Sequence, residues 1–330
     1  MEPMLAKAVS AIPLPDSVEG GLLYEPKWDG FRGIVTFDGE TVEIGSRGSK
    51  PLTRYFPELV DEFTRQLSGP CVLDGEIILP VAGRLDWEAL SQRIHPAQSR
   101  IDKLSVETPA SFVAYDLLDD PSLPFSERRA ALERLPLTAP LYRSQVTTDV
   151  ELAKRWLEEF EGAGLDGVVA KPLAAAYAPG KRVMLKIKHH RTADVVALGY
   201  RIHKSGAGVG SLLVGLYDDG ELKNVGGVSA FSNARRLELI DELEPLVTRG
   251  DDGSAETGER ERNRFSGAKD QSFVTLRPER VLEVRYDQME GERFRHTAQF
   301  ERWRDDRDPL SCTYDQLEVP VKYDLAKVLA

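Results

Sequence analysis

Glu25-Pro26-Lys27-Trp28-Asp29-Gly30-Phe31-Arg32 sets a lysine just ahead of an Asp-Gly turn, with an acid before it and an arginine after. Gly21-Leu22-Leu23-Tyr24 on one side and Gly33-Ile34-Val35-Thr36-Phe37 on the other read as strands. Lys27 is therefore expected on a tight loop between two strands, held by rigid elements. By itself this is also the pattern of an ordinary hairpin turn with a solvated lysine. Reading Lys27 as a nucleophile requires the rest of the chain to build a pocket around it.

The chain has 330 residues, enough for two domains, with 41% hydrophobic and 29% charged residues, the balance of a globular protein with a proper core. No run of about 18 apolar residues offers a membrane span. The N-terminus lacks the layout of a secretory signal. Cys71 and Cys312 lie far apart and form no Cys-x-x-Cys pair, so a reducing cytoplasm is expected and no zinc site. Forty-three Lys and Arg against 54 Asp and Glu give a formal net charge of −11, which alone argues against nucleic-acid binding unless the cations cluster.

Along the chain, residues 1–20 read as an irregular, proline-rich lead-in. Residues 42–44 read as a strand, 57–67 and 86–93 as helices, and 94–110 as loop or short helices. Residues 71–79 read as a strand broken by Asp74-Gly75, and 110–118 as a buried strand. Helices follow at 126–134 and 149–162, then strands 167–171 and 184–188, each ending in lysine. His189-His190-Arg191-Thr192 reads as a linker. Beyond it come short strands at 193–200, 211–217, 222–228, 273–276 and 281–286, split by glycine turns and by one helix at 232–246, the texture of a small all-β barrel. Residues 249–264 are polar and read as a flexible loop.

Several segments end a strand with polar groups. Glu76 follows Asp74-Gly75, and Asp166 precedes Gly167-Val168-Val169-Ala170-Lys171. Lys186 and Lys188 alternate with Leu185 and Ile187 and so share one face of a strand, and Arg47 sits on the loop after another. Acids and lysines aimed into one place are costly unless something charged lies between them. A nucleotide triphosphate with Mg²⁺ meets that need. No P-loop pattern and no Gly-x-Gly-x-x-Gly opening a helix is present. Gly206, Gly208 and Gly210 lie between barrel strands and read as a mobile loop.

In this order the segments resemble a family. Lys27-Trp28-Asp29-Gly30, with Glu25 and Arg32, looks like motif I of the covalent nucleotidyltransferases, which include ATP-dependent DNA ligases and RNA capping enzymes. Ser46-Arg47-Gly48, Leu73-Asp74-Gly75-Glu76, Tyr115-Asp116-Leu117, Asp166 to Lys171 and Lys186-Ile187-Lys188 resemble the family's later motifs. Gly210 to Gly215, and Arg295-His296 leading to Arg302-Trp303-Arg304-Asp305-Asp306-Arg307, are similar to the OB domain of bacterial DNA ligases, most of all the small ligase C group associated with repair. Two departures stand out. Arg307 stands where a lysine is common, and Asp166 where many relatives have Glu.

The resemblance implies an α+β fold. An N-terminal adenylation domain of antiparallel sheets with flanking helices (1–190) would precede an all-β OB-fold domain (191–330). It implies an ATP-dependent ligase that seals nicks in duplex DNA, through a lysyl-AMP and then an adenylylated 5′-phosphate. Lys27 would be the nucleophile, with Lys186 and Lys188 favouring its neutral form and holding phosphate. Glu25 and Tyr115 would take the adenine, and Arg32 and Arg47 ribose or phosphate. Glu76 would be a ribose or metal contact and Asp166 a metal ligand. Asp29 would shape the turn or place the metal or the 3′-hydroxyl. Arg304 and Arg307 would neutralise pyrophosphate from the second domain. Expected cofactors are ATP with Mg²⁺, or Mn²⁺ in its place. Expected partners are nicked DNA and repair proteins such as a polymerase, primase or end-binding factor, with the protein a cytoplasmic, nucleoid-associated monomer. DNA phosphates would meet Lys181, Arg182, Lys186, Lys188 and Arg191, and on the barrel Arg235, Arg236, Arg285, Arg293 and Arg295. The alternatives are an RNA ligase or capping guanylyltransferase, or a non-catalytic OB-type nucleic-acid binder. A NAD⁺-dependent ligase is disfavoured, because only 26 residues precede Lys27 and no cysteine cluster follows the barrel.

Overall fold

Leu22–Pro26 and Phe31–Phe37, the strands on either side of Lys27, belong to two different sheets. The expected hairpin is therefore a crossover. In this computed structural model, which describes residues 2–48, 50–259 and 272–329, residues 27–30 carry the chain from a four-stranded sheet into a five-stranded one. Gly30 makes the crossing feasible. A Cβ there would lie 2.0 Å from the Ile77 carbonyl oxygen and 3.1 Å from Glu76 Cγ.

The four-stranded sheet runs in the order Leu5–Ala8, Arg182–Ile187, Val168–Pro172, Leu22–Pro26. Leu5–Ala8 joins it in parallel, so part of the presumed irregular lead-in is an edge strand. The other pairs are antiparallel. The five-stranded sheet runs Val42–Ser46, Phe31–Phe37, Cys71–Ile78, Ser111–Leu117, Leu141–Arg143, and its last pair is also parallel. Each sheet thus departs at one edge from the expected antiparallel pattern. Cys71–Ile78 is one continuous strand, not a broken one. The irregularity lies in its pairing, where Asp74 faces Asp116 and Gly75 faces Ala114, leaving Tyr115 as the extra residue of a bulge.

Helices Pro57–Gln66, Gln98–Glu107 and Phe125–Glu133 flank the five-stranded sheet's core, which is built on Leu59, Phe63, Leu73, Ile77, Phe112 and Leu132. The second helix settles the 94–110 stretch, expected as loop or short helices, as a single ten-residue helix. Val150–Glu159, capped by the Asp149 carboxylate, puts Ala153 and Trp156 into a separate cluster with Tyr24, Trp28, Tyr115 and Val168.

The chain divides into two compact units, Met1–Lys188 with Pro320–Ala330, and His189–Val319. The last segment therefore returns to the first unit, where a single boundary near residue 190 would have left it in the second. In the second unit, strands Arg191–Ile202, Val209–Asp218, Glu221–Ser229, Ala298–Trp303 and Val281–Tyr286 close into a five-stranded barrel, as expected of an OB fold. Arg191 and Thr192 open its first strand and are not a linker. That strand closes the barrel by pairing with Val281–Tyr286 through its first half and with Val209–Asp218 through its second. The hairpin after Asp218 turns on Asp219 and Gly220, at φ 47° and 81°, the left-handed pair that a two-residue hairpin requires. Helix Asn233–Leu243 buries Leu239 and Leu243 against the barrel. Within the stretch read as a flexible loop, Thr257–Glu259 is a strand paired with Ser272–Thr275, while residues 260–264 lie outside the described residues. Among the described residues no helix is long and apolar enough to cross a membrane.

Replacing Gly30 by Ala drives a methyl group into the Ile77 carbonyl and is expected to cost about 3 kcal/mol or more. Thermal unfolding of the variant against wild type checks this, and an unchanged Tm would show that the crossover is not sterically tight.

Candidate active site

Strand register decides which side chains meet. In the four-stranded sheet Glu25 lies opposite Val169, and Val169 opposite Lys186. Alternation then puts Leu23, Glu25, Val169, Lys171 and Lys186 on one face. In the five-stranded sheet Arg32 lies opposite Glu76. The crossover joins these two surfaces, and Lys27 is its first residue.

Lys27 is fixed through backbone and side chain. Its N–H donates to the Gly167 carbonyl at 2.8 Å, and its own carbonyl accepts from Asp166 N–H at 3.0 Å. Gly167 permits this approach, with φ at 135° and space for a Cβ denied by Ile187 O at 2.0 Å. Lys27 Nζ then lies 2.5 Å from Asp166 Oδ2, and the same oxygen lies 2.9 Å from Lys188 Nζ. Burial alone would raise the Asp166 carboxyl's pKa, but the two lysines more than reverse this and hold it below the usual range. For Lys186, burial first and the charges of Lys27 and Lys188 next push the ammonium's pKa down. Arg47, exposed on the turn after its strand, acts on Lys186 in the same direction.

Glu76 behaves in the opposite way to Asp166. Burial pushes its carboxyl up to about 8, and Lys27 and Arg32 only partly offset this, while the Asp29 and Asp74 charges add to it. At neutral pH Asp166 is thus ionised while Glu76 keeps its proton.

Arg32, expected to hold ribose or phosphate, is itself held by the protein. Its Nε and Nη2 bind both oxygens of buried Asp74, at 2.9 and 2.5 Å, and Nη1 donates to the Met4 carbonyl. Tyr177 adds an O–H donor to Asp74 at 2.7 Å and accepts from Met4 N–H at 2.9 Å. Asp74 also faces Asp116 across the sheet, and Arg128 holds Asp116 bidentately at 2.9 and 3.0 Å. Two acids buried side by side are tolerable because each has its own arginine.

Tyr115, the bulged residue, is turned toward the other sheet. Lys171 Nζ lies 4.5 Å from its ring centre and donates to its carbonyl at 3.2 Å. The same ammonium sits 2.5 Å from Glu25 Oε1, with both partners almost wholly buried. Glu25 Oε2 is buried with no hydrogen-bond partner, an acceptor that a bound molecule would have to satisfy. The sequence places Lys171 and Asp74 inside motif-like segments without a role of their own, and does not single out Tyr177. Period-two alternation from Val169 pointed to Lys171, but nothing local distinguishes the other two.

Arg304 and Arg307 belong to the second unit. Arg304 Nη1 donates to both Asp194 oxygens at 3.0 Å, and its other nitrogens bind Asp306 at 2.9 and 3.0 Å. Arg307 lies 3.7 Å from Asp194. Several barrel arginines expected to meet DNA are likewise engaged. Arg235 pairs with Glu238 and Glu242, Arg236 with the carbonyls of Val209 and Gly210, Arg285 with Glu301, and Arg293 with Asn224. Buried Arg191 pairs with Glu318.

Comparison with known proteins explains why these groups converge. The family model described as ATP dependent DNA ligase domain matches residues 3–188, and that described as ATP dependent DNA ligase C terminal region matches residues 205–307. The DNA ligase C of Mycobacterium tuberculosis is 54% identical, over 100% of this chain and 97% of its own. The chain belongs to the ATP-dependent DNA ligases. The ligase is also 53% identical to DNA ligase C1 of Mycolicibacterium smegmatis, over 100% of this chain and 97% of that one. Among solved structures it is similar in fold to the subject of "DNA binding with a minimal scaffold: Structure-function analysis of Lig E DNA ligases", with a TM-score of 0.59, 18% identity, and 92% of this chain and 99% of that chain covered. The chain is therefore an ATP-using DNA-joining enzyme, and the alternative of a non-catalytic binder falls away.

The Glu76 carboxyl gives the ligase a pH signature. Its ordinary pKa is 4.5 and its folded value about 8, so between those limits the unfolded chain ionises Glu76 while the folded one keeps the proton. Stability from this group is full below pH 4.5 and falls as pH rises to about 8. Without nucleotide, Glu76→Gln is expected to unfold at the wild-type temperature near pH 5 and several degrees higher near pH 9. Melting curves across that range check it, and a pH-independent difference would contradict it.

Proposed function

We propose that Lys27 takes AMP from ATP, that the ligase passes this AMP to the 5′-phosphate at a nick in duplex DNA, and that the neighbouring 3′-hydroxyl displaces it to seal the strand. The single observation carrying this reading is the placement of Lys27, whose backbone is paired with residues 166 and 167 while its Nζ is bound to Asp166. An amine so placed is held in position by the fold and is not a loose surface charge; it becomes the nucleophile once its ammonium has lost a proton.

The chain's own groups supply the rest. In the first step the ammonium of Lys27 gives a proton to water, and the Nζ–P bond then forms as the bond from the α-phosphorus to the pyrophosphate oxygen breaks. Lys186 and Lys188 face the developing negative charge on the α-phosphate. Glu25 Oε2, buried and unsatisfied, suits the amino group of adenine, and the Tyr115 ring suits its face. Arg32, locked to Asp74, presents its remaining N–H groups to ribose.

Among the described residues no group of three His, Cys, Asp or Glu side chains is placed to hold a metal ion. Mg²⁺ bound mainly through phosphates and water, the usual mode for that ion, would be held by Asp166, and by Glu76 once that carboxyl gives up its proton. They would hold it beside the α-phosphate, where it would supply charge neutralisation. Sealing in a repair setting, with the enzyme acting as a monomer, is the biological reading that the likeness to the ligase C proteins favours.

Incubation with ATP and Mg²⁺ should add one AMP to the wild-type mass and none to Lys27→Ala, while that variant still closes a nick already carrying a 5′-linked AMP. Lys188→Ala is expected to slow AMP addition on the order of 10²-fold. Addition of GMP alone, or of AMP to the Lys27→Ala protein, would overturn the assignment.

A further inference from the structure

After leaving the second unit, residues 320–329 return to the first. Leu325 and Val328 are 2% and 0% exposed, and they share a buried cluster with Trp28, Tyr115 and Val168. The receiving surface is shaped for them. At Gly162 a Cβ would lie 1.8 Å from Val321 O and 2.7 Å from Tyr323 N, so only glycine admits the strap. The Tyr323 ring packs 5.1 Å from that of Phe160, and Leu325 N–H donates to the Gly83 carbonyl at 2.8 Å.

One contact leads to the nucleophile. Gln145 Nε2 donates to the Lys327 carbonyl at 3.0 Å. The preceding residue, Ser144, accepts the Trp28 indole N–H at 2.9 Å, and Trp28 adjoins Lys27. Two residues further on, Thr147 exchanges both backbone hydrogen bonds with Tyr24, at 2.8 and 2.9 Å, on the strand that delivers Lys27. The strap therefore backs the segment that fixes both sides of the Lys27 turn.

We propose that the docked strap, through Leu325, Val328 and the Gln145–Lys327 contact, is a positioning element for lysyl-AMP formation: it holds the Ser144–Thr147 segment that aims Lys27. This rests on Lys27 being the adenylylated residue. The strap touches no substrate. Its effect should therefore fall on the rate of the Lys27 step and spare steps in which Lys27 is not the nucleophile.

The test compares the full chain carrying Leu325→Ser with Val328→Ser, and separately Gln145→Ala, with wild type. One arm follows single-turnover AMP addition by intact mass over a range of ATP concentrations. The other follows closure of a nick already bearing a 5′-linked AMP, in which the 3′-oxygen–phosphorus bond forms as the bond to AMP breaks. The double variant is expected to slow AMP addition about tenfold or more, with the ATP concentration for half-maximal rate unchanged and the closure arm within about threefold of wild type. Gln145→Ala leaves the apolar anchors in place, so it reads the same split at about fivefold even where the double variant does not fold. Equal loss in both arms for Gln145→Ala would reduce the strap to a structural prop, and wild-type rates in both arms would overturn the proposal. Wild type that takes no AMP on Lys27 would instead sink the underlying reading.

Discussion

The Asp166 carboxylate, shared by the ammonium groups of Lys27 and Lys188, is the constraint around which the first unit is built. One acid oxygen holding two lysines is stable only in a pocket walled by rigid strands, because each charge loses water and must find its compensation inside. Both walls are present. Val168–Pro172 carries Asp166 at its start, Arg182–Ile187 leads straight into Lys188, and the turn bearing Lys27 is hydrogen-bonded to the residues between them. Lys27 is thus placed by main-chain geometry, and the carboxylate sets where its amine rests.

Around that centre the fold buries charge in pairs. Glu25 pairs with Lys171, Arg32 with Asp74, and Arg128 with Asp116. Such pairs add little net stability, since desolvation offsets much of their attraction, but breaking one leaves a costly lone charge. Glu25 and Lys171 tie neighbouring strands of the four-stranded sheet, Arg32 and Asp74 tie neighbouring strands of the five-stranded one, and Arg128 fastens helix Phe125–Glu133 to that sheet at Asp116. The contrast between Asp166, kept ionised by lysines, and Glu76, kept protonated by burial, has the same source: which acid has cations within contact distance.

The parts legible in sequence were those with local signals. Lys27 ahead of an Asp-Gly pair, Asp166 before a Gly-Val-Val-Ala-Lys strand, and Lys186 and Lys188 alternating on one strand all follow from spacing within a few residues. The barrel showed itself through short strands split by glycine turns. What stayed hidden was non-local. That the strands on either side of Lys27 enter different sheets depends on pairing with Val168–Pro172 and Cys71–Ile78, far along the chain. Leu5–Ala8 is a parallel edge strand too short to show a period. The return of residues 320–329 to the first unit depends on a surface shaped by Gly162, and no pattern within the strap announces that. The arginines of the second unit looked available on composition, yet many are matched to nearby acids, which a tally of charges cannot reveal.

The central claim is that Asp166 sets the position of the Lys27 amine, and the most direct measurement is the single-turnover rate of lysyl-AMP formation by Asp166→Asn. Asn keeps the shape but cannot balance two ammonium groups. The structure therefore leads one to expect a fall on the order of 10²-fold or more, with Asp166→Glu recovering part of it. Asp166→Asn forming lysyl-AMP at the wild-type rate would contradict the account.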